Sequence, residues 1–282
     1  MKRRLRVIVL VVVLAATAIA ITRSDPRAIG HAMAGMSWRW ASIAAVLNLL
    51  GVLIDATRLR IIAGASGHVS WRHSVQAQLV GIVGNVLFPL KLGEGARAYM
   101  LTRRHELTTA TAVKTVLFDR VVDAIVLPIF IIVVSLLMPL PANVLKYRGL
   151  MLASVAVTAI AIVAIGRHRT RLAAAVGASL VSWTVRAAIL WCMLSAFHVY
   201  LPLSATVTML VIVNIGIALV ATPGNVGSFE LAAAAALALW KVPSETAFSV
   251  AIATHLIEVI PPVILGFVAG GWSMVVLETK PA

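Results

Sequence analysis

The chain has 282 residues, 61% of them apolar and only 12% charged, with a mean hydropathy of +1.01. Soluble domains carry roughly 45–50% apolar and about 25% charged residues, so an ordinary soluble domain, a disordered chain and a fused soluble catalytic domain are excluded, and a lone cysteine, Cys192, excludes a disulfide scaffold. The formal charge of +14 is a topology signal from cytoplasmic loops rather than a nucleic-acid surface, because no basic run is interleaved with aromatics.

A helix needs about 20 mostly apolar residues to cross the hydrocarbon. In chain order the apolar runs are 7–22, 40–57, 75–90, 112–138, 149–166, 176–198, 205–221, 228–240 and 247–275. The first follows Lys2-Arg3-Arg4 and ends near Ala18-Ile19-Ala20; it reads as a crossing, with a cleaved signal peptide as the alternative. Two places are broken by proline and glycine: Phe88-Pro89-Leu90-Lys91-Leu92-Gly93-Glu94-Gly95 and Thr222-Pro223-Gly224-Asn225-Val226-Gly227. Proline removes a backbone donor and glycine permits a reversal. In lipid such backbone survives only when protein shields it or it lines a wet cavity.

Loop charges decide between two topologies. If every run through 166 crosses, 9 positive charges fall inside and 11 outside, against the positive-inside rule. If 75–104 dips in and returns to the same side, the count becomes 15 inside and 5 outside. The expected fold is therefore an all-α polytopic membrane protein, a single integral membrane domain over 1–282. It has about six full crossings and two re-entrant helical hairpins of opposite sense.

The chain also repeats itself. Ser70 precedes Pro89 by the same interval that separates Ser204 from Pro223, and Gly93 follows Pro89 as Gly227 follows Pro223. An acid comes next in each case, Glu94 or Glu230. Then a basic and an acidic residue stand three apart, Arg120 and Asp123 in one copy, His255 and Glu258 in the other. These correspondences place a first repeat at 38–138 and a second at 172–275. Opposite membrane orientation makes it an inverted repeat, the usual construction of secondary transporters.

Half of the chain's ten acids lie in these stretches: Glu94, Asp119, Asp123, Glu230 and Glu258. An ionised side chain at mid-bilayer costs at least ~2.5–3.5 kcal/mol, so it faces a partner or a wet cavity. Two roles are open to Arg120: binding a headgroup or ion together with Asp119 and Asp123, or clamping carbonyls left unpaired in the broken hairpin. Glu94 and Glu230 open the returning half-helices, where the dipole favours a carboxylate; capping and substrate binding both explain them, and Arg97 stands beside Glu94. His255 reads first as a satisfied buried histidine, with a charge switch near neutral pH as the alternative. Arg186, between Trp183 and Trp191, reads as packing, while Trp38, Trp40, Trp71 and Trp272 fall near segment ends as an interfacial belt. Seven histidines and one cysteine show no metal spacing, and Walker, GxSxG and GxGxxG motifs are missing. No metal, cofactor or catalytic residue is assigned.

Pro89-x-Lys91-x-Gly93-Glu94-x-x-Arg97, Asp119-Arg120-x-x-Asp123 and Pro223-Gly224-x-x-Gly227-x-x-Glu230 together resemble the lysylphosphatidylglycerol synthase transmembrane-region family, also described as flippase-like. The resemblance covers about residues 40–270. Lys91 stands where the family usually has arginine, Asp119 where it has glutamate, and His255 where the second half often has arginine. Bifunctional members carry a soluble acyltransferase-like domain after the membrane part. This chain stops at Ala282, so the resemblance implies not lysyl transfer but the membrane half's role, moving a lipid or lipid-linked molecule between leaflets.

The expected function is thus translocation of a lipid (a phospholipid, hopanoid or lipid-linked glycan) in the bacterial cytoplasmic (inner) membrane. The headgroup is expected to cross a charged groove holding Glu94, Arg97, Asp119, Arg120, Asp123, Glu230, His255 and Glu258, between breaks at Pro89, Gly93, Pro223, Gly224 and Gly227. The alternatives are an accessory membrane subunit for an enzyme that modifies lipids or glycans, and an integral membrane enzyme acting on lipid. The last lacks a legible nucleophile–base pair.

Overall fold

A computed structural model describes residues 26–88, 92–103, 107–137, 149, 169–220 and 222–271. Among them the regular structure is helical throughout: α1 (Pro26–Ala34), α2 (Trp38–Ala63), α3 (Trp71–Leu87), α4 (Gly93–Thr102), α5 (Thr109–Leu137), α6 (Arg169–Ala196), α7 (Leu203–Leu219), a 3₁₀ turn (Pro223–Asn225), α8 (Ser228–Ala238) and α9 (Ser244–Gly266), which continues as a wider turn over Phe267–Gly271. Three stretches are long and apolar enough to cross a bilayer, Trp38–Ala63, Thr170–Ala196 and Ser244–Gly270. They coincide with the runs at 40–57, 176–198 and 247–275. Helix α5, 29 residues long, covers the run at 112–138. The runs at 7–22 and 149–166 lie, residue 149 apart, outside the described residues. The chain is a membrane protein, all-helical in the regular structure of its described residues.

Helix α2 runs past its apolar stretch, through Arg58 and Arg60, to Ala63. The reason is physical: Arg58 is buried among carboxylates, so the charge does not end the helix. Large apolar side chains such as Val46, Leu50, Leu117, Ile215 and Ile264 point outward, where hydrocarbon takes the place of a protein core. Trp38 and Trp71 open α2 and α3 as exposed residues, in keeping with their interfacial reading, and Trp40 meets Trp191 edge to face with ring centroids 5.3 Å apart. Trp272 is outside the described residues.

Two consecutive prolines, Pro261 and Pro262, sit inside α9. Each lacks the N–H that would bond the carbonyl four residues back, which orphans the carbonyls of Ile257 and Glu258. Asn48 of α2 answers both: its Nδ2 donates to Ile257 O at 2.9 Å and to Glu258 O at 3.0 Å. A side-chain amide thus supplies the two donors that the prolines took away, as a helix in lipid requires.

The two broken regions are helical hairpins. In the first, α3 and α4 approach so closely that a Cβ on Gly84 would lie 2.7 Å from the Gly93 Cα. In the second, a Cβ on Gly216 of α7 would lie 2.7 Å from the Ala232 Cβ of α8. The arms have 17 and 10 residues in the first hairpin, 17 and 11 in the second. At 1.5 Å per residue the returning arms are about 15–17 Å long, roughly half the ~30 Å hydrocarbon thickness. The turn of the second hairpin needs glycine twice, at Gly224 (φ +59°) and Gly227 (φ +85°), because an L side chain there strains the backbone. Thr222 Oγ1 donates to Val226 O at 2.8 Å and Ser228 Oγ to Asn225 O at 3.0 Å, closing it. Pro89, Leu90 and Lys91 of the first turn lie outside the described residues.

The chain divides into two compact units. Of the described residues, the first unit takes 26–48, 85–88, Leu92, 186–220 and 222–261; the second takes 49–84, 93–103, 107–137, 169–185 and 262–271. The first unit contains the second hairpin and α9 as far as Pro261; the second contains α5 and the first hairpin apart from residues 85–92.

Candidate functional site

In the second unit α2, α4, α5 and α6 bring three arginines and four acids together. Arg58 Nε donates to Asp119 Oδ1 at 2.8 Å, and Arg58 Nη1 to Asp123 Oδ1 at 2.5 Å. Arg97 Nη2 donates to the other oxygen of Asp119 at 2.8 Å, and its Nη1 to Glu94 Oε2 at 2.7 Å. Glu94 Oε1 lies 2.9 Å from Arg120 Nη2, and Arg120 Nη1 lies 3.9 Å from Asp123 Oδ2. Followed round, Arg58, Asp119, Arg97, Glu94, Arg120 and Asp123 form a closed ring of alternating sign, neutral as a whole. Asp55 hangs from it, 3.6 Å from Arg58 Nη1, and accepts a 2.7 Å bond from Ser182 Oγ. Ser179 Oγ accepts from Arg58 at 2.8 Å.

The helices impose this arrangement. Asp55 and Arg58, Glu94 and Arg97, and Arg120 and Asp123 are each three apart, which puts both members on one helix face. Ser179 and Ser182 repeat the spacing on α6. A neutral ring is how such groups enter a membrane: a buried ion is tolerable only when paired and hydrogen-bonded. One end is sealed, with Arg58 and Arg97 only 1% exposed and Asp119 fully enclosed; the other is open, with the Arg120 side chain 41% exposed. The open end also holds the longest link of the ring, between Arg120 and Asp123. The stem of Arg97 crosses Gly81 where a Cβ would stand, so glycine there makes room for a guanidinium to reach the centre.

The loop totals of 9 and 11, or 15 and 5, include Arg58 and Arg97, yet both residues are buried inside helices. Removing them lowers the inside total without reversing the inequality. The sequence reading therefore missed Arg58 and Asp55 as site members. The usable signal was Asp55-x-x-Arg58 flanked by Leu53-Ile54 and Leu59, the same acid–base spacing that marked Arg120 and Asp123.

The first unit holds a smaller site. Glu230, in the first turn of α8, accepts a 2.7 Å bond from the Gly227 N–H through Oε2, the capping anticipated for it. Its Oε1 lies 2.5 Å from His255 Nδ1, and His255 Nε2 lies 2.8 Å from the Gly224 carbonyl. The imidazole stacks on Phe229 with centroids 4.7 Å apart. His255 is thus a satisfied buried histidine that ties a carboxylate to the turn, and the backbone clamp considered for Arg120 is what His255 provides. Glu258 interacts electrostatically with His255 and Arg186.

All eight predicted residues therefore fall into two groups, Glu94, Arg97, Asp119, Arg120 and Asp123 in one unit and Glu230, His255 and Glu258 in the other. In each unit the acid opening the returning arm (Glu94 or Glu230) is met by the base of the following long helix (Arg120 or His255). Gly93 opens α4, Pro223 and Gly224 lie in the 3₁₀ turn and Gly227 precedes α8.

A comparison with curated proteins finds no match. A comparison with known families matches the lysylphosphatidylglycerol synthase TM region over residues 5–166 and 164–266. With its charged motifs lying on the hairpins and long helices just described, the chain belongs to the family of the lysylphosphatidylglycerol synthase TM region.

Proposed function

We propose that this protein moves the polar headgroup of a lipid or lipid-linked molecule between the leaflets of the bacterial cytoplasmic membrane, and that it does so without catalysing a covalent reaction. The observation that carries this reading is the alternating ring of Arg58, Asp119, Arg97, Glu94, Arg120 and Asp123. Fixed dipoles would suffice to hold a purely structural hairpin together. Six ionised groups with one open corner offer something more, namely exchange of partners. A phosphate entering at Arg120 takes the guanidinium from Glu94, and an amine takes Glu94 or Asp123, with each displaced group retaining its other ring neighbour. Arg120 also holds a buried Nε–H with no acceptor among the described residues.

The short returning arms support a re-entrant reading of both hairpins, since 10 or 11 residues do not span the hydrocarbon. One apolar core joins Leu59 and Ala63 near the end of α2 to Val69 just before α3, Ala77 in its first half, Met100 and Leu101 near the end of α4, and Ala112 in α5. This shared core supports a first hairpin that starts and finishes at the same end of its unit. Loop charges in the sequence favour the cytoplasm for that end. The equal arm lengths and the Glu94–Arg120 and Glu230–His255 pairs support an internal, inverted repeat, on which alternating access is commonly built.

The test is transport in reconstituted vesicles, with fluorescent phosphatidylglycerol and phosphatidylethanolamine analogues and a membrane-impermeant quencher that reads the outer leaflet. Arg120→Gln and Glu94→Gln are expected to slow headgroup transfer about 10–100-fold, the equivalent of one charge-assisted hydrogen bond. Wild-type rates in both variants, with both proteins folded, would remove the assignment.

A further inference from the structure

A second candidate site lies in the same unit, where α2 ends and α5 and α6 begin, and the ring does not use it. An apolar cavity of about 290 Å³ is lined by Ile61, Ile62, Phe118, Leu172 and Ala175, with Lys114, Arg171 and Ser66 at its margin. A more polar one of about 670 Å³ shares Ile61 and Arg171 with it and adds Arg60, His68 and Thr170. Arg60, His68, Lys114 and Arg171 are all exposed, and among the described residues neither cavity is lined by a carboxylate. Among the described residues Lys114 and Arg171 form no ion pair. The arrangement is built into the backbone at Gly64, where a Cβ would come within 3.2 Å of Arg171 Nη1. Arg60 is held in place by a 3.2 Å bond from its Nε to Val69 O.

We infer that this paired cavity holds one anionic phospholipid at the cytoplasmic surface, its phosphate against Arg171 and Lys114 and one acyl chain in the pocket between Phe118 and Leu172. Charge complementarity selects the occupant. Among the described residues three permanent cations and no carboxylate line an opening whose other half is apolar, and the negatively charged cytoplasmic leaflet supplies the matching molecule at high local concentration. The ring is chemically different, since it is neutral and balanced. A lipid seated here bridges the end of α2, the start of α5 and the start of α6, which are the three helices that carry Arg58, Asp119 and Ser179 one or two turns deeper. It therefore braces the ring from below, whether or not the ring transports anything.

The test measures thermal stability and bound lipid, by native mass spectrometry, of the full chain in neutral detergent titrated with short-chain phosphatidylglycerol, phosphatidylcholine or inorganic phosphate. Phosphatidylglycerol is expected to bind and to raise the melting temperature, the other two not. Lys114→Gln with Arg171→Gln is expected to weaken that binding about 25-fold, roughly fivefold per surface charge. Ala65 also lines the apolar cavity, and Ala65→Trp, which fills it and keeps the charges, is expected to weaken binding too. In an Arg120→Gln background, which removes the phosphate contact at the ring and alters neither cavity, the double variant is expected to cause the same further loss, which separates this inference from the transport reading. Equal binding of phosphatidylcholine, equal protection by phosphate, or full phosphatidylglycerol binding by the double variant would each overturn the inference.

Discussion

Asp119 is the acid on which the ring should depend most, and replacing it with asparagine preserves shape while removing charge. Asp119 Oδ1 accepts from Arg58 and Oδ2 from Arg97, both at 2.8 Å, and the residue is fully enclosed. An asparagine has one oxygen and one NH2, so whichever way it is turned, one buried guanidinium faces a donor. Breaking a buried pair by removing one partner costs about 3–5 kcal/mol, because the other charge stays buried and uncompensated. Arg58 keeps Asp123 and Asp55, and Arg97 keeps Glu94, which places the expected loss at the lower end, about 3 kcal/mol. Unfolding in mixed micelles monitored by circular dichroism gives the number, and a cycle with Arg97→Met gives its origin. Removing both partners should cost less than the sum of the single losses, by about 0.5–3 kcal/mol. Asp119→Asn with wild-type stability, or a cycle that sums without coupling, would refute the ring as an energetic unit.

Other substitutions test separate joints. Asn48→Leu should destabilise by about 1–3 kcal/mol, since it strands the Ile257 and Glu258 carbonyls without a donor; Asn48→Gln should lose less, and the same unfolding assay reads both. Gly84→Val and Gly216→Val should each cost about 1–3 kcal/mol by forcing hairpin arms apart, with lower thermal stability and faster proteolysis at the turns. His255→Phe keeps the stack on Phe229 but frees the Gly224 carbonyl and Glu230; a loss of about 1–3 kcal/mol is expected, while His255→Gln restores part of it.

Long apolar runs, the position of both breaks, and the acids and bases around them were legible in the sequence, because period, proline and glycine act locally. So was the Glu230 cap, which follows from its place in the first turn of a half-helix. Arg58 was legible only through its spacing from Asp55, for the opposite reason. Its partners are 61 and 65 residues away on another helix, and a basic residue near the end of an apolar run looks like a loop charge until those partners are known. Asn48 was equally silent: the need for an amide there arises from prolines more than 200 residues later. Gly84 and Gly216 read as ordinary helix residues in sequence; only the facing arm shows that neither position has room for a methyl group.

The proline pair in α9 carries a mechanical consequence. Without a splint, a rod interrupted by two missing rungs pivots, and the interruption lies one turn beyond His255. The Asn48 amide splints that interruption from a neighbouring helix through two hydrogen bonds, so the segment that aims His255 at its glutamate is steadied by a residue outside the site.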